Sequence, residues 1–136
     1  ATGAGTGDPT DLTAAQALAI LGLTGASYSE GTWTPAFTSL TEVGGAATIT
    51  GRYTRIGRMV YFTVEIVAVV TTAAVAGTTF CDLPIAAAQD DTCDTVDRTT
   101  NVGIGTGVVD STNDRCYPAG WAATGDKIVI SGKYEA

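Results

Sequence analysis

Apolar and polar side chains alternate most regularly between residues 58 and 70, a pattern that predicts one long β-strand. Alternate residues form its two faces: Val60, Phe62, Val64, Ile66 and Ala68 on one, and Met59, Tyr61, Thr63 and Glu65 on the other. The wholly apolar set predicts the side that faces the core. A strand at residues 48–56 and a turn at Gly57 complete a predicted β-hairpin.

The second face of this strand is only half polar. Met59 and Tyr61 lie beside Thr63 and Glu65, so the face is too apolar for solvent and too polar for a domain core. Such a mixture is typical of a subunit interface or of a surface covered by an adjacent sheet. We predict that Met59 and Tyr61 belong to an interface between copies of the chain.

Beyond Thr32 the chain continues as short strand-like segments separated by glycine-rich turns. A first strand is predicted around Pro35, between Trp33 and Phe37, at a sheet edge or bulge. Further strands are predicted at residues 78–83, 102–109, 115–122 and 127–134, the last two joined by a turn at Gly125–Asp126. The pattern predicts an all-β domain over residues 26–136, an antiparallel sandwich or barrel.

The first 25 residues have a different texture. Residues 1–12 are rich in Gly, Thr and Asp and predict a flexible leader, and their start suggests a piece cut from a longer protein. Residues 13–16 (Thr-Ala-Ala-Gln) fit a capping box that begins a short helix, which Gly22 or Gly25 can end. At about nine residues, this helix is too short to be stable alone in water.

The spacing of Ala14, Leu18 and Leu21 is that of a narrow coiled-coil seam. The seam predicts a helical stem that pairs with copies of itself. The alternative, equally compatible with the spacing, is that Leu18 and Leu21 dock on the domain that follows.

Composition narrows the possible functions. The chain has 136 residues, 7 Lys and Arg against 14 Asp and Glu, and no histidine. An excess of negative charge argues against a nucleic-acid partner, and the absence of histidine excludes Ser-His-Asp catalysis and histidine-ligated metals. No apolar run approaches the roughly 18 residues of a membrane span. We expect no membrane insertion and no cofactor.

The three cysteines are widely spaced and form no C-x-x-C motif. Cys81, Cys93 and Cys116 are expected to be ordinary thiols inside a cell. If the protein works outside a cell, Cys93 and Cys116 are the pair most suited to a disulfide, because both lie in polar, turn-rich stretches.

Candidate catalytic motifs are missing from the sequence. There is no G-x-S-x-G elbow and no phosphate-binding G-x-x-x-x-G-K-[ST] loop. A pair of carboxylates for glycoside hydrolysis stays possible among the acidic residues. We nevertheless expect the protein not to be an enzyme.

Two features could bind a ligand. Residues 86–101 are polar and predict an exposed loop, and its aspartates could be simply solvated or could hold a hard cation such as calcium: Asp90, Asp91, Asp94 and Asp97. Tyr117 and Trp121 could stack on a sugar ring, or could pack into a core or interface. Tyr117, Trp121, Asp90, Asp91 and Asp94 are therefore the candidate receptor-binding residues.

Three segments carry a resemblance to a known family. Residues 31–35 (Gly-Thr-Trp-Thr-Pro), 51–60 (Gly-Arg-Tyr-Thr-Arg-Ile-Gly-Arg-Met-Val) and 130–134 (Ile-Ser-Gly-Lys-Tyr) resemble the carboxy-terminal domains of bacteriophage tail fibres, tailspikes and head fibres. The similarity spans residues 31–134, although residues 86–120 have no counterpart in it. The motifs are structural and carry no catalytic residue.

The resemblance implies a homotrimer of jelly-roll-like antiparallel β-sandwiches at the tip of a virion fibre, preceded by a short stem. It implies trimerisation, attachment to the host, or both. We expect the attachment to be to a host-surface glycan, and the protein to be made in the host cytoplasm. The alternatives are a domain that modifies the host glycan and a purely structural trimerisation or folding cap. Because the family's receptor contacts lie in variable loops, the resemblance assigns no contact to a residue of this chain.

Overall fold

A computed structural model of the chain describes residues 28–136, apart from the side chains of residues 123–125. The predicted stem, including Ala14, Leu18 and Leu21, lies outside the described residues. The described residues form ten β-strands and no helix: β1 Tyr28–Trp33, β2 Phe37–Thr38, β3 Thr41–Val43, β4 Thr48–Ile56, β5 Met59–Ala74, β6 Phe80–Asp82, β7 Asp91–Asp97, β8 Val102–Asp110, β9 Arg115–Tyr117 and β10 Trp121–Glu135.

All ten strands belong to one antiparallel sheet that is curled into a half-barrel. Its order is β1-β4-β5-β10-β7-β8-β9-β6-β2, and β3 pairs with the far part of β5. The prediction of an all-β antiparallel fold is confirmed.

The chain connection between β1 and β2 explains the curl. These strands lie at opposite ends of the sheet order, which would be about 38 Å apart in a flat sheet with ~4.8 Å between strands. Only residues 34–36 join them, and that connection can span at most about 15 Å. The sheet must therefore bend until its two edges approach each other.

The predicted hairpin is confirmed. β4 has the predicted bounds, and Gly57 takes a φ of 60° at the turn, a conformation in which a side chain would be strained. On β5, the side chains of Val60, Phe62, Val64 and Ile66 are buried in the core as predicted, while Ala68 is half-buried.

The core lies on the concave face of the curled sheet. β5 and β10 form its centre, because their buried side chains alternate in register with one another, as in the pairs Ile66↔Ile128 and Val64↔Ile130. Tyr134 fastens the connection between β6 and β7 to this core: its hydroxyl donates to the Ile85 carbonyl at 2.6 Å and accepts from the Ile85 amide at 3.3 Å.

The prediction that residues 86–101 form an exposed loop is wrong. Their middle part is β7, which pairs with β10 on one side and β8 on the other. Cys93 and Thr95 point into the core, whereas Asp94 is exposed. The inward positions hold Cys and Thr instead of large apolar side chains. The alternation of apolar and polar residues that predicts a strand is therefore missing from this segment.

Three strand boundaries also differ from the predictions. β10 runs without a break through the predicted turn at Gly125–Asp126, where the pairing with β5 shifts register instead. The predicted strand at residues 115–122 is divided between β9 and the start of β10. The predicted strand around Pro35 is interrupted, because residues 34–36 leave the sheet between β1 and β2.

Candidate functional site

A groove of about 420 Å³ lies where β8 and β9 meet the loops that flank them. The residues that line it include Asp90, Thr106, Val108, Asp110, Tyr117 and Pro118. We call it the Tyr117 groove. It brings together Asp90 and Tyr117, two of the residues that the sequence proposes for receptor binding.

Strand register explains why these residues meet. Asp91 pairs with Val109 across β7 and β8, so Asp90, just before β7, lies next to Asp110 at the end of β8. Val108 pairs with Tyr117 across β8 and β9, which brings the aromatic ring to the same end of the sheet.

Gly107 allows the two walls of the groove to approach closely. A Cβ added to this residue would lie 2.1 Å from the carbonyl oxygen of Tyr117 and 2.8 Å from the Cα of Pro118. Only glycine tolerates such an approach of one backbone to another. The position of the Tyr117 backbone therefore depends on the missing side chain at residue 107.

Asp90 is held by a single neighbour. Its Oδ1 accepts hydrogen bonds from the Ser111 amide at 2.9 Å and from the Ser111 hydroxyl at 2.8 Å. The Ser111 amide and hydroxyl lower the pKa of this carboxyl below its usual value, because both bonds favour the charged form.

Asp110 is held by the turn that follows β8. Its Oδ2 accepts from the Asn113 side-chain amide at 2.8 Å, and its Oδ1 accepts from the Thr112 amide at 2.8 Å. The Asn113 side chain, and then the backbone amides of the turn, lower the pKa of this carboxyl as well. Both carboxylates of the groove are charged at neutral pH.

Tyr117 is half-buried and has a fixed ring. It packs against Phe80 with ring centroids 5.3 Å apart and an angle of 52° between the planes. The Arg115 guanidinium lies 4.0 Å from the centroid of the Phe80 ring and extends this stack. Tyr117 therefore lines the groove as a residue whose ring is held in a supported aromatic cluster.

The remaining predicted receptor-binding residues have different positions. Asp94 is exposed on β7 and accepts from the hydroxyl of Thr106, a groove residue, at 3.4 Å. Asp91 is half-buried, and its Oδ1 accepts from the amide of Thr92 at 2.8 Å. Neither lines the groove.

Trp121 does not have the exposed face that sugar stacking requires. Its side chain is 8% exposed and belongs to the core, and Nε1 donates to the carbonyl and the hydroxyl of Thr72 at 3.0 and 3.1 Å. Because the ring is buried, the prediction that Trp121 contacts a receptor is wrong. The alternative, that Trp121 packs into the core, describes its position.

Asp110 was missed by the sequence reasoning. It lies just beyond the predicted strand 102–109, at the start of the polar run 110–115, where an aspartate has no distinguishing pattern. Only the register of β7 with β8 reveals that it lies beside Asp90.

Met59 and Tyr61 lie on the convex face of the sheet, at the opposite end of β5 from the groove. Pairing with neighbouring strands places Ile56 and Tyr28 next to them. Tyr61, Ile56 and Tyr28 are 47%, 43% and 40% exposed, and Met59 is half-buried. These four residues form what we call the convex apolar patch.

A second cavity of about 630 Å³ lies on β1, β4 and β5 and is lined mainly by threonines together with Trp33, Arg52 and Glu65. Glu65 is engaged there by Lys127, whose Nζ lies 3.5 Å from its Oε2. This cavity contains none of the predicted receptor-binding residues and is the alternative binding site to the Tyr117 groove.

Among the side chains that the structure describes, no group of three or more Cys, Asp or Glu residues is arranged to hold a metal ion. The described residues also contain no helix with the length and apolar character needed to cross a membrane. Comparison of the chain with protein-family profiles, with curated proteins and with solved structures gives no match.

Proposed function

We propose that the chain is the tip of a bacteriophage fibre, where it trimerises and attaches to a host-surface glycan through the Tyr117 groove. One observation carries this proposal: two charged, positioned carboxylates, Asp90 and Asp110, lie beside a supported aromatic ring in one groove. The motifs at residues 31–35, 51–60 and 130–134, which resemble phage fibre domains, support it independently.

The chemistry of the groove suits a sugar. A carboxylate accepts hydrogen bonds from sugar hydroxyl groups, and such bonds are stronger than those between neutral groups. The C–H face of a pyranose ring packs on an aromatic ring such as Tyr117. Because Ser111 and Asn113 already orient the two carboxylates, sugar binding requires less ordering of these side chains.

The alternative of a glycan-modifying enzyme is less well supported. Hydrolysis of a glycosidic bond requires one carboxyl group that is protonated near neutral pH and acts as the general acid. The pKa values of Asp90 and Asp110 are both lowered, so neither carboxyl would be protonated there. A pair of fixed carboxylates favours binding over bond cleavage.

The proposed assembly is a homotrimer in which three half-barrels form a sandwich-like tip, following the stem with its Ala14, Leu18 and Leu21 seam. The convex apolar patch supports this part of the proposal. It leaves three large side chains 40% or more exposed on one face of the sheet, as expected for a surface that another copy covers. In this proposal the tip belongs to the virion, after synthesis in the host cytoplasm.

A glycan array probed with the full chain tests attachment. We expect binding by the wild type, loss of binding in Tyr117→Ala, and retention in Arg52→Ala, which alters the second cavity and leaves the Tyr117 groove intact. If Arg52→Ala loses glycan binding and Tyr117→Ala retains it, the binding site is the second cavity and not the Tyr117 groove. A chain that trimerises but binds neither glycans nor host cells would instead be a purely structural cap, and one that releases smaller fragments from host polysaccharide would be an enzyme.

A further inference from the structure

Three buried thiols meet beneath the Tyr117 groove. Cys81, Cys93 and Cys116 have exposed fractions of 0%, 2% and 0%. The Sγ atoms of Cys93 and Cys116 are 3.4 Å apart, although 23 positions separate them in the sequence. This is the pair that the sequence analysis selects as most suited to a disulfide.

Strand pairing explains the contact. Cys93 on β7 and Cys116 on β9 both neighbour β8, where they pair with Gly107 and Val109. Because Gly107 has no side chain, the backbone of residues 117–118 can approach this part of β8 closely. Cys81 pairs with Cys116 from the other side of β9, so Cys116 has two possible partners.

We infer that Cys93 and Cys116 form a disulfide when the protein is in oxidising surroundings, with a small soluble disulfide such as oxidised glutathione as the electron acceptor. One protein thiolate attacks the acceptor, which gives a mixed disulfide and one small thiol. The second thiolate then attacks the protein sulfur of the mixed disulfide and releases the other small thiol. The two S–H protons end on the two small thiols, so the protein loses two hydrogens and two electrons.

Bond formation requires the sheet to contract locally. A disulfide bond is about 2.0 Å long, so the two sulfurs must approach by roughly 1.4 Å. Strands two positions apart in a flat sheet are separated by about 9.6 Å, more than the roughly 7 Å between Cα atoms that a disulfide spans, so β7 and β9 must also move closer together. Cys93 and Cys116 lie two strands apart, and the bond would tie β7 to β9 across β8.

The folded state makes this reaction slow. The hydrogen bond between the thiols, followed by burial, raises the pKa of Cys93, and the neighbouring Cys81 together with burial raises that of Cys116. Thiolate is the reacting form, so exchange proceeds mainly while the chain folds or opens locally.

The bond would also alter the groove. The Cys93 thiol donates to the Tyr117 carbonyl at 3.8 Å, and a disulfide removes that donor while holding β9 from below. The inference does not depend on glycan binding, because it rests on the thiols alone.

Refolding the full chain with a mixture of oxidised and reduced glutathione tests the inference. Free thiols are then alkylated, and the peptides are mapped by mass spectrometry without reduction. We expect a peptide pair that links Cys93 to Cys116 and is lighter by two hydrogens, with alkylation at Cys81 only. Three alkylated cysteines, or a bond that involves Cys81, would overturn the inference.

A stability measurement provides a second readout. Oxidation should shift the unfolding equilibrium toward the folded state by on the order of a hundredfold in the wild type and in Cys81→Ser, the matched control that keeps the pair. It should cause no shift in Cys93→Ser. An equal shift in all three proteins, or in none, would contradict the proposed bond whether or not the chain binds a glycan.

Discussion

The indole ring of Trp33 on β1 occupies the space above Gly51, its partner on β4. A Cβ added to Gly51 would lie 2.6 Å from two atoms of the ring, Cε3 and Cζ3, closer than carbon atoms pack. The ring also meets Tyr53 edge-on, with centroids 6.2 Å apart. Trp33 thus packs β1, the edge strand, onto β4 over a position that has no side chain of its own.

Gly51→Ala should destabilise the domain by about 1–3 kcal/mol, because the new methyl group must displace the Trp33 ring. The free energy of unfolding, measured with urea, checks this. Gly103→Ala is the matched control, since nothing lies within 4 Å of a Cβ at that strand position. Equal losses in the two variants would show that glycine is needed at residue 51 for a reason other than the ring.

Tyr134→Phe should cost about 1–3 kcal/mol of stability while leaving the packing volume nearly unchanged. The lost hydroxyl leaves the Ile85 amide and carbonyl without their partner. Tyr61→Phe is the control, because Tyr61 is 47% exposed and its hydroxyl can bond to water. A loss of similar size in Tyr61→Phe would argue against the buried hydrogen bonds as the cause.

The same tyrosine predicts a dependence on alkaline pH. Burial raises the pKa of Tyr134 above the ordinary value of 10.0, so the folded state binds its proton more tightly than the unfolded state does. That contribution is fully present below pH 10 and decreases as the pH rises further. Unfolding measured from pH 8 to 11 should show a smaller loss in Tyr134→Phe than in the wild type. Parallel curves would contradict it.

The sequence predicted the elements in which apolar and polar residues alternate clearly. The hairpin of β4 and β5 was predicted with its turn at Gly57, because Val60, Phe62 and Val64 mark the inward side of β5 without ambiguity. β7 was missed because Cys93 and Thr95 occupy its inward positions, and neither residue is distinctive of a core.

The candidate site was predicted only in part. Asp90 and Tyr117 were selected by residue type, and they do share a groove. Asp110 and the approach at Gly107 depend on how β7, β8 and β9 pair, a long-range property that no local pattern contains. Residue type also selected Trp121, which is buried in the core, because an aromatic residue beside a turn can belong to a core as well as to a binding site.

Tyr61→Asp should weaken trimer formation, because it places a charge in the convex apolar patch that another copy is proposed to cover. Val75→Asp is the control: Val75 is 62% exposed, but it follows the opposite end of β5. Sedimentation of both variants at micromolar concentration checks the expected difference. Equal association, or a wild type that is monomeric, would count against the patch as an interface.

Leu18→Asp tests the stem in the same assay. If the Ala14, Leu18 and Leu21 seam pairs with copies of itself, a buried charge at residue 18 should weaken assembly more than Lys127→Ala, a change at an exposed residue. Equal sedimentation of the two variants would remove the seam from the proposed interface.

The charge of the Tyr117 groove predicts which glycans bind. Asp90 and Asp110 are both ionised at neutral pH, so a sugar that carries a carboxylate, sulfate or phosphate would meet two like charges. Each like charge about 4 Å away costs roughly 1 kcal/mol in water, which is about a fivefold loss of affinity. The wild type should therefore prefer neutral or amino sugars. Asp110→Asn should reduce this preference by several-fold, and more strongly at low salt, where the charges are less screened.

Glu30→Gln is the matched control for this change, because it removes one negative charge from β1, outside the groove. Binding of neutral and anionic sugars to the three proteins at two salt concentrations separates local from overall charge. If Glu30→Gln changes the preference as much as Asp110→Asn, the net charge of the chain governs selection. If the wild type prefers anionic sugars, the binding site lies outside the Tyr117 groove. Two ionised carboxylates repel a negatively charged ligand unless a cation lies between them.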